Sequence, residues 1–294
     1  MPPFPIVDSH VHFWAPEERA YPWLRDVPAL NGRRTPAELT AAAGAVGIAQ
    51  IVFVQCGCAD AAEEVRWVEA LAERDPRIAG IVAHAPLESG DAVAAELERL
   101  AGRPWVKGVR RLLQDEADDA FCLRPDFVRA VRRLGPLGLV CDLCIYHRQL
   151  GAVVELVRAC PEVSFVLDHA GKPGIRAGLT EPWRAQLTEL ARSENVVCKL
   201  SGLATEAEHA TWTEAQVRPY AAHVLDSFGA GRVLFGSDWP VSGLATGYGR
   251  WVAAVDAWTT GCSEAERRAI FAENARRVYR LPPGPLRGPT AVES

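Results

Sequence analysis

Ile6-Val7-Asp8-Ser9-His10-Val11-His12 is a short apolar run that ends in ionisable side chains, and the rest of the chain repeats that arrangement. Apolar runs of β type recur near 49–54, 78–83, 106–109, 139–143, 163–167, 196–199 and 233–235, each continuous rather than alternating. Strands covered on both faces require continuous runs. The segments between them carry helical spacing, and Asp60 with Glu63 and Ser263 with Glu266 read as capping boxes at helix starts. Eight βα units predict an α/β fold, a single (β/α)8 TIM barrel over residues 1–281. An open doubly wound sheet is the alternative, but it carries fewer strands as a rule, and no Gly-rich phosphate fingerprint follows the first run. The stretch 282–294, PPGPLRGPTAVES, is rich in Pro and Gly without periodicity and reads as a loose tail.

Composition narrows the class. In 294 residues, 49% are hydrophobic and 23% charged, the balance of an ordinary globular protein. The net charge of -5 has no basic stripe within it, which argues against a nucleic-acid partner. The segment 1–6 has neither a cationic nor an apolar leader pattern, and no apolar run is long enough to span a bilayer. A cytoplasmic location without membrane contact is therefore expected. The eight cysteines are scattered and read as reduced. Cys141 and Cys144 have redox spacing, but in an extended run they point to opposite faces and read as core.

Active sites of such barrels form at the C-terminal ends of the strands. Reactive side chains collect there: Asp8, His10 and His12 on the first run, Gln55 after the second, His84 after the third, Arg110 after the fourth. Asp142 and His147 follow the fifth, Asp168, His169 and Lys172 the sixth, Lys199 and Ser201 the seventh, and Ser237, Asp238 and Trp239 the eighth. His10 and His12, two apart on a strand, face one side about 7 Å apart along the backbone. The first and last strands of a closed barrel are neighbours, so Asp238 comes beside them. Three imidazoles, counting His169, and one carboxylate then converge on the axis. That set suits one divalent metal, or a metal-free general-base site.

DSHVHFW, YPWL, VKGVR, VLDHAGKP, VCKLSGL, FGSDWPV and ENARRVYRL, in that order over Ile6 to Leu281, resemble the lactonases of the amidohydrolase superfamily, barrels of the metallo-dependent hydrolase type. The resemblance is strongest to the branch that contains L-fuconolactonase and L-rhamnonolactonase. 2-Pyrone-4,6-dicarboxylate lactonase and sulfomuconolactone hydrolase are more distant. It implies hydrolysis of a sugar-derived lactone, with His10, His12, His169 and Asp238 as the centre and Asp238 as the base that activates water. It implies that Arg110 and Lys172 grip substrate oxygens, and it leaves a zinc ion on His10, His12, His169 and Asp238 optional. Lys107 is the one candidate for a carbamylated lysine on strand 4, but parity sets it opposite Arg110, which argues against a binuclear centre.

Other positions carry weaker readings. Asp8 sits deeper and reads as a carboxylate that bonds backbone or orients an imidazole. Gln55, His84 and His147 are placed as pocket contacts, His84 and His147 with direction open, and His209 and His223 as surface residues. Lys199 and Ser201 share parity, which allows both to face the mouth, with closure of a turn as the other reading of Ser201. The long aromatic segment 13–35 brings Trp14 and Trp23, which with Trp239 offer flat faces for a sugar ring. The rival functions are a metal-dependent decarboxylase of an aromatic or muconate-type acid and a non-enzymatic ligand-binding barrel. The implied partner is a small-molecule lactone, and a homo-oligomer is left open.

Overall fold

The computed structural model describes residues 1–283. Eight parallel strands lie in chain order: β1 (Ile6–Val11), β2 (Ile48–Val54), β3 (Ile78–Ala83), β4 (Val106–Arg110), β5 (Val140–Leu143), β6 (Phe165–Leu167), β7 (Val196–Leu200) and β8 (Val233–Phe235). The expected runs fall on them within one or two residues. A helix follows each strand, for example Ala61–Ala72 after β2 and Tyr248–Trp258 after β8. The Asp60 carboxylate accepts the Glu63 N–H at 2.8 Å, and Ser263 with Glu266 forms the full reciprocal box, so the cap signals in the sequence are real. Most of the tail expected at 282–294 lies outside the described residues.

Two hydrophobic layers account for the continuous runs. One side of the strands packs on the surrounding helices. The other forms a second cluster of Val7, Val52, Val82, Val140, Val166, Val197 and Leu234, closed from below by Ala275 and Tyr279 of the C-terminal segment. These side chains fill the barrel as packed layers, so the barrel is a core rather than a pore. Polar residues lie above them.

The barrel closes between β1 and β8. Val11 bridges Trp239, the His12 N–H donates to the Trp239 carbonyl at 2.8 Å, and the Asp238 N–H donates to the His10 carbonyl at 2.9 Å. Closure and site assembly thus use the same residues. Register shifts between Asp8 and Val11, so simple alternation fails there. Asp8 accepts the Ser237 N–H at 2.8 Å and the Tyr248 hydroxyl at 2.9 Å, which ties β1 to β8 and to the helix behind it. Among the described residues no helix is long and apolar enough to cross a membrane.

Candidate active site

One oxygen of Asp238 lies 3.4 Å from His12 Nε2, 3.7 Å from His10 Nε2 and 3.9 Å from His169 Nε2. All four side chains are nearly or fully buried. Each imidazole is oriented from behind. His12 Nδ1 donates to the Val54 carbonyl at 2.7 Å, which turns its Nε2 toward Asp238 and toward His10 Nε2, 3.2 Å away. His169 Nδ1 lies 2.9 Å from the Ser201 hydroxyl. His10 Nδ1 has an ammonium donor on one side, Lys199 at 3.1 Å, and a carboxylate acceptor on the other, Asp168 at 3.2 Å. Either tautomer of His10 is therefore supported.

Backbone conformation helps to aim these groups. Asp238 (φ 60°) and His169 (φ 52°) both sit in the left-handed region, a strained choice for residues with a Cβ that tends to gather at functional sites. Gly202 makes room for His169, since a Cβ there would lie 2.6 Å from its Nδ1. Gly236 does the same for His10, whose Cβ would be 2.9 Å from an added one.

Burial pushes His169 down to about 4 and His10 well below the ordinary imidazole range. Burial alone would raise Asp238, but the imidazoles of His169, His12 and His10 around it hold it well below the usual carboxylate range. The site presents an ionised carboxylate beside two imidazoles, His10 and His169, in which burial disfavours the protonated form. His10, His12 and Asp238 bring their ligand atoms within 4.8 Å of one another, a set that fits a divalent ion of zinc type, and His169 Nε2 lies 3.9 Å from the same Asp238 oxygen.

Beneath His10 lies a charged layer whose wiring the sequence did not disclose. Lys199, fully buried, places its ammonium 2.6 Å from Asp142 and 2.9 Å from Asp168. Tyr279 donates its hydroxyl to Asp142 at 2.8 Å. Arg110 donates to Asp168 at 3.0 Å and to the Gln55 carbonyl. Burial would raise Asp168, but Lys199, His10 and Arg110 hold it well below the usual range, while burial carries Asp142 up to about 6 against the pull of Lys199. Lys199 therefore does not face the mouth, as parity suggested.

The strand ends open on a cavity of about 280 Å³ whose wall includes His12, His169, Asp238, Arg110, Lys172 and Trp23. Gln114, Asp115, Cys56 and Cys144 also line it, and sequence reasoning missed all four as wall residues. Lys172 donates to Gln114 Oε1 at 2.5 Å, and Trp23 is fixed by its indole N–H to the Cys56 carbonyl at 2.7 Å. Among the expected contacts, Arg110 needs correction: it borders the cavity, but its fork is already engaged by Asp168 and Gln55, so it braces the site more than it waits for substrate.

Four other expected contacts lie elsewhere. Gln55 is buried and accepts the Gly57 N–H at 2.9 Å, while His84 faces a neighbouring depression with Glu88 and Arg111. His147 turns back to the Lys172 carbonyl at 3.0 Å and borders a separate surface hollow. Trp239 packs on Phe13 and opens toward another depression beside Pro240. Trp14 is core, pinned by its indole N–H to Leu30 and Gly32 carbonyls. His223 is buried against Trp183 and bonds the Arg184 carbonyl at 2.9 Å, so it is not a surface residue. Cys144 is buried as expected, though its thiol points to Gln114 at 3.4 Å on the cavity wall.

Glu64, fully buried beside Cys56 at 3.3 Å with no cation bonded to it among the described residues, is pushed up to about 7 by burial. A carboxyl raised in the folded state stabilises that state below its unfolded value, and the contribution is lost as pH climbs from about 4.5 through 7. Glu64→Gln removes the titration. Its stability relative to the parent should improve by about 2–3 kcal/mol between pH 5 and pH 8 in urea melts. Parallel stability curves would show that Glu64 is ionised without cost.

Fold and site together define a hydrolase-type (β/α)8 barrel with His-x-His on its first strand and an aspartate after its last. The amidohydrolase family model matches residues 7–281, and the chain belongs to that family. It is 35% identical to L-fucono-1,5-lactonase of Burkholderia ambifaria over 291 residues, 94% of this chain and 95% of the relative. An amidohydrolase from Burkholderia multivorans, solved with HEPES bound, superposes with a TM-score of 0.86 at 34% identity, over 95% of this chain and all of that one. A second crystal form from that organism, with zinc bound, gives a TM-score of 0.84 at 35% identity over the same 95% and the whole of that chain.

Proposed function

We propose that the barrel, residues 1–281 as one catalytic unit, hydrolyses a sugar-derived lactone, with Asp238 as the base that takes a proton from the attacking water. The observation that carries this reading is the convergence of three imidazole nitrogens on one Asp238 oxygen, 3.4–3.9 Å away, with Asp238, His12 and His169 in the wall of a small cavity and His10 behind them. The likeness to an L-fucono-1,5-lactonase over nearly the whole chain supports the substrate class.

Water attacks the acyl carbon as Asp238 accepts its proton, and the ring C–O bond then breaks with return of that proton to the departing alkoxide. The acid formed releases one proton to solvent. Lys172, on the cavity wall, brings positive charge to the developing oxyanion, while the Arg110 guanidinium, 3.4 Å from His10 Nε2, braces the centre from behind. Gln114 and Asp115 offer hydrogen bonds to sugar hydroxyls, and Trp23 a flat face for the ring. A divalent ion held by His10, His12, His169 and Asp238 would polarise the carbonyl and acidify water when bound.

Purified protein should release protons from one or more members of an aldono-lactone panel well above the buffer rate, in chelator as well as in zinc. Silence across the panel would remove the lactonase reading, and release of carbon dioxide from an aromatic acid would favour a decarboxylase. With the best lactone, Lys172→Met should raise KM by about tenfold, roughly 1.4 kcal/mol, with a smaller fall in kcat. A lower melting temperature with KM unchanged would assign Lys172 to structure instead.

A further inference from the structure

Asp142, Asp168, His10 and Lys199 come from β5, the end of β6, β1 and β7, and all four are fully buried. The Lys199 ammonium sits inside this group, 2.6 Å from Asp142 Oδ2, 2.9 Å from Asp168 Oδ1 and 3.1 Å from His10 Nδ1. Two carboxylate oxygens and an imidazole nitrogen are the donor set of a divalent-cation site. Their separations from Nζ exceed metal–ligand lengths by only about 0.5–1 Å. We propose that Lys199 is a built-in cation: its ammonium fills a second cation cradle beneath His10, so the wild-type centre takes at most one ion, and loss of the ammonium opens the cradle to a divalent metal.

The layer's charges support this arrangement. Asp142 and Asp168 face Lys199 and Arg110, two anions against two cations, which leaves no charge for a further ion to neutralise. Without the ammonium, the same oxygens carry one uncompensated negative charge in a dry interior, where an unpaired ion is costly. A divalent cation of suitable size relieves it. Among the described residues Asp142 belongs to neither cluster whose ligand atoms lie within 4.8 Å of one another, that of His10, Asp168 and His169 or that of His10, His12 and Asp238, so an ion in the cradle must draw Asp142 inward and Asp142 reports on the cradle alone.

The test uses Mn²⁺, whose preference for oxygen and nitrogen donors keeps it from the eight thiols. Bound Mn²⁺ is counted by electron paramagnetic resonance, and thermal melts are recorded in chelator and in Mn²⁺. Wild type should hold no more than one ion per chain. Lys199→Ala should melt lower than wild type in chelator and gain more from Mn²⁺ than wild type does. That extra gain should vanish in Lys199→Ala/Asp142→Asn, and in Lys199→Met, whose side chain fills the space without charge. Two ions in wild type would overturn the proposal. So would a Mn²⁺ response of Lys199→Ala equal to that of wild type, or one that survives Asp142→Asn. Lys199→Ala that cannot be recovered folded even in Mn²⁺ would count against it as well.

Discussion

Asp238→Asn should lose turnover of the best lactone by about 10³-fold or more while the protein keeps its circular dichroism and melting temperature to within a few degrees. The amide matches the shape of the carboxylate but cannot accept a proton from water, and a positioned base contributes on the order of 10²–10⁴ in rate. Among the described residues Asp238 is the one carboxylate with an oxygen near all three imidazoles, and its own backbone N–H is held to the His10 carbonyl at 2.9 Å, so the substitution leaves the frame in place. The loss should appear in kcat and kcat/KM alike, since the interaction is made in the transition state. Activity within about threefold of the parent would remove Asp238 from the role of base.

Asp168→Asn should show its largest effect on stability. Asp168 is fully buried and touches Lys199 at 2.9 Å, Arg110 at 3.0 Å and His10 Nδ1 at 3.2 Å. Its loss leaves Arg110 without a carboxylate partner and Lys199 with Asp142 alone. Removing one member of a buried ion pair costs about 3–5 kcal/mol, because the charge left behind has no compensation. For a barrel of this size that lowers the melting temperature by roughly 10 °C. The sign with pH follows from the depressed folded value: the contribution is present above the ordinary carboxyl range and fades only as pH falls through a value well below it. The deficit should therefore hold from pH 8 to pH 5 and shrink in acid. A cost under about 1 kcal/mol at pH 7 would mean that water or rearrangement satisfies both cations.

Much of this was legible from pattern. Continuous apolar runs gave the eight strands because both faces are covered, and the strand-end rule placed His10, His12, His169 and Asp238 together. Parity failed where the backbone departs from an ideal strand. The irregularity after Asp8 and the left-handed residues His169, Lys172 and Asp238 decide where those side chains point, and no period of two describes them. Gln55, His84, His147 and Trp239 sit at the right height but turn to neighbouring backbone or separate hollows, a choice made by loop geometry. Arg110 was correctly aimed inward, yet its partner Asp168 comes from two strands further on, a contact that only the closed barrel creates. Gln114 and Asp115, on the loop after β4, carry no local signal of their cavity role.

In the proposed reaction water, with Asp238 as its base, attacks the acyl carbon of a sugar lactone. A single turnover of L-fucono-1,5-lactone by excess protein in heavy-oxygen water, read by mass spectrometry of the opened acid, follows that water to its product. One heavy oxygen is expected in the product's new carboxylate and none in the hydroxyl that left the ring. A first-turnover product without label, with the heavy oxygen found instead on Asp238, would make that residue a nucleophile and contradict the mechanism, and no opening of the lactone at all would contradict the function.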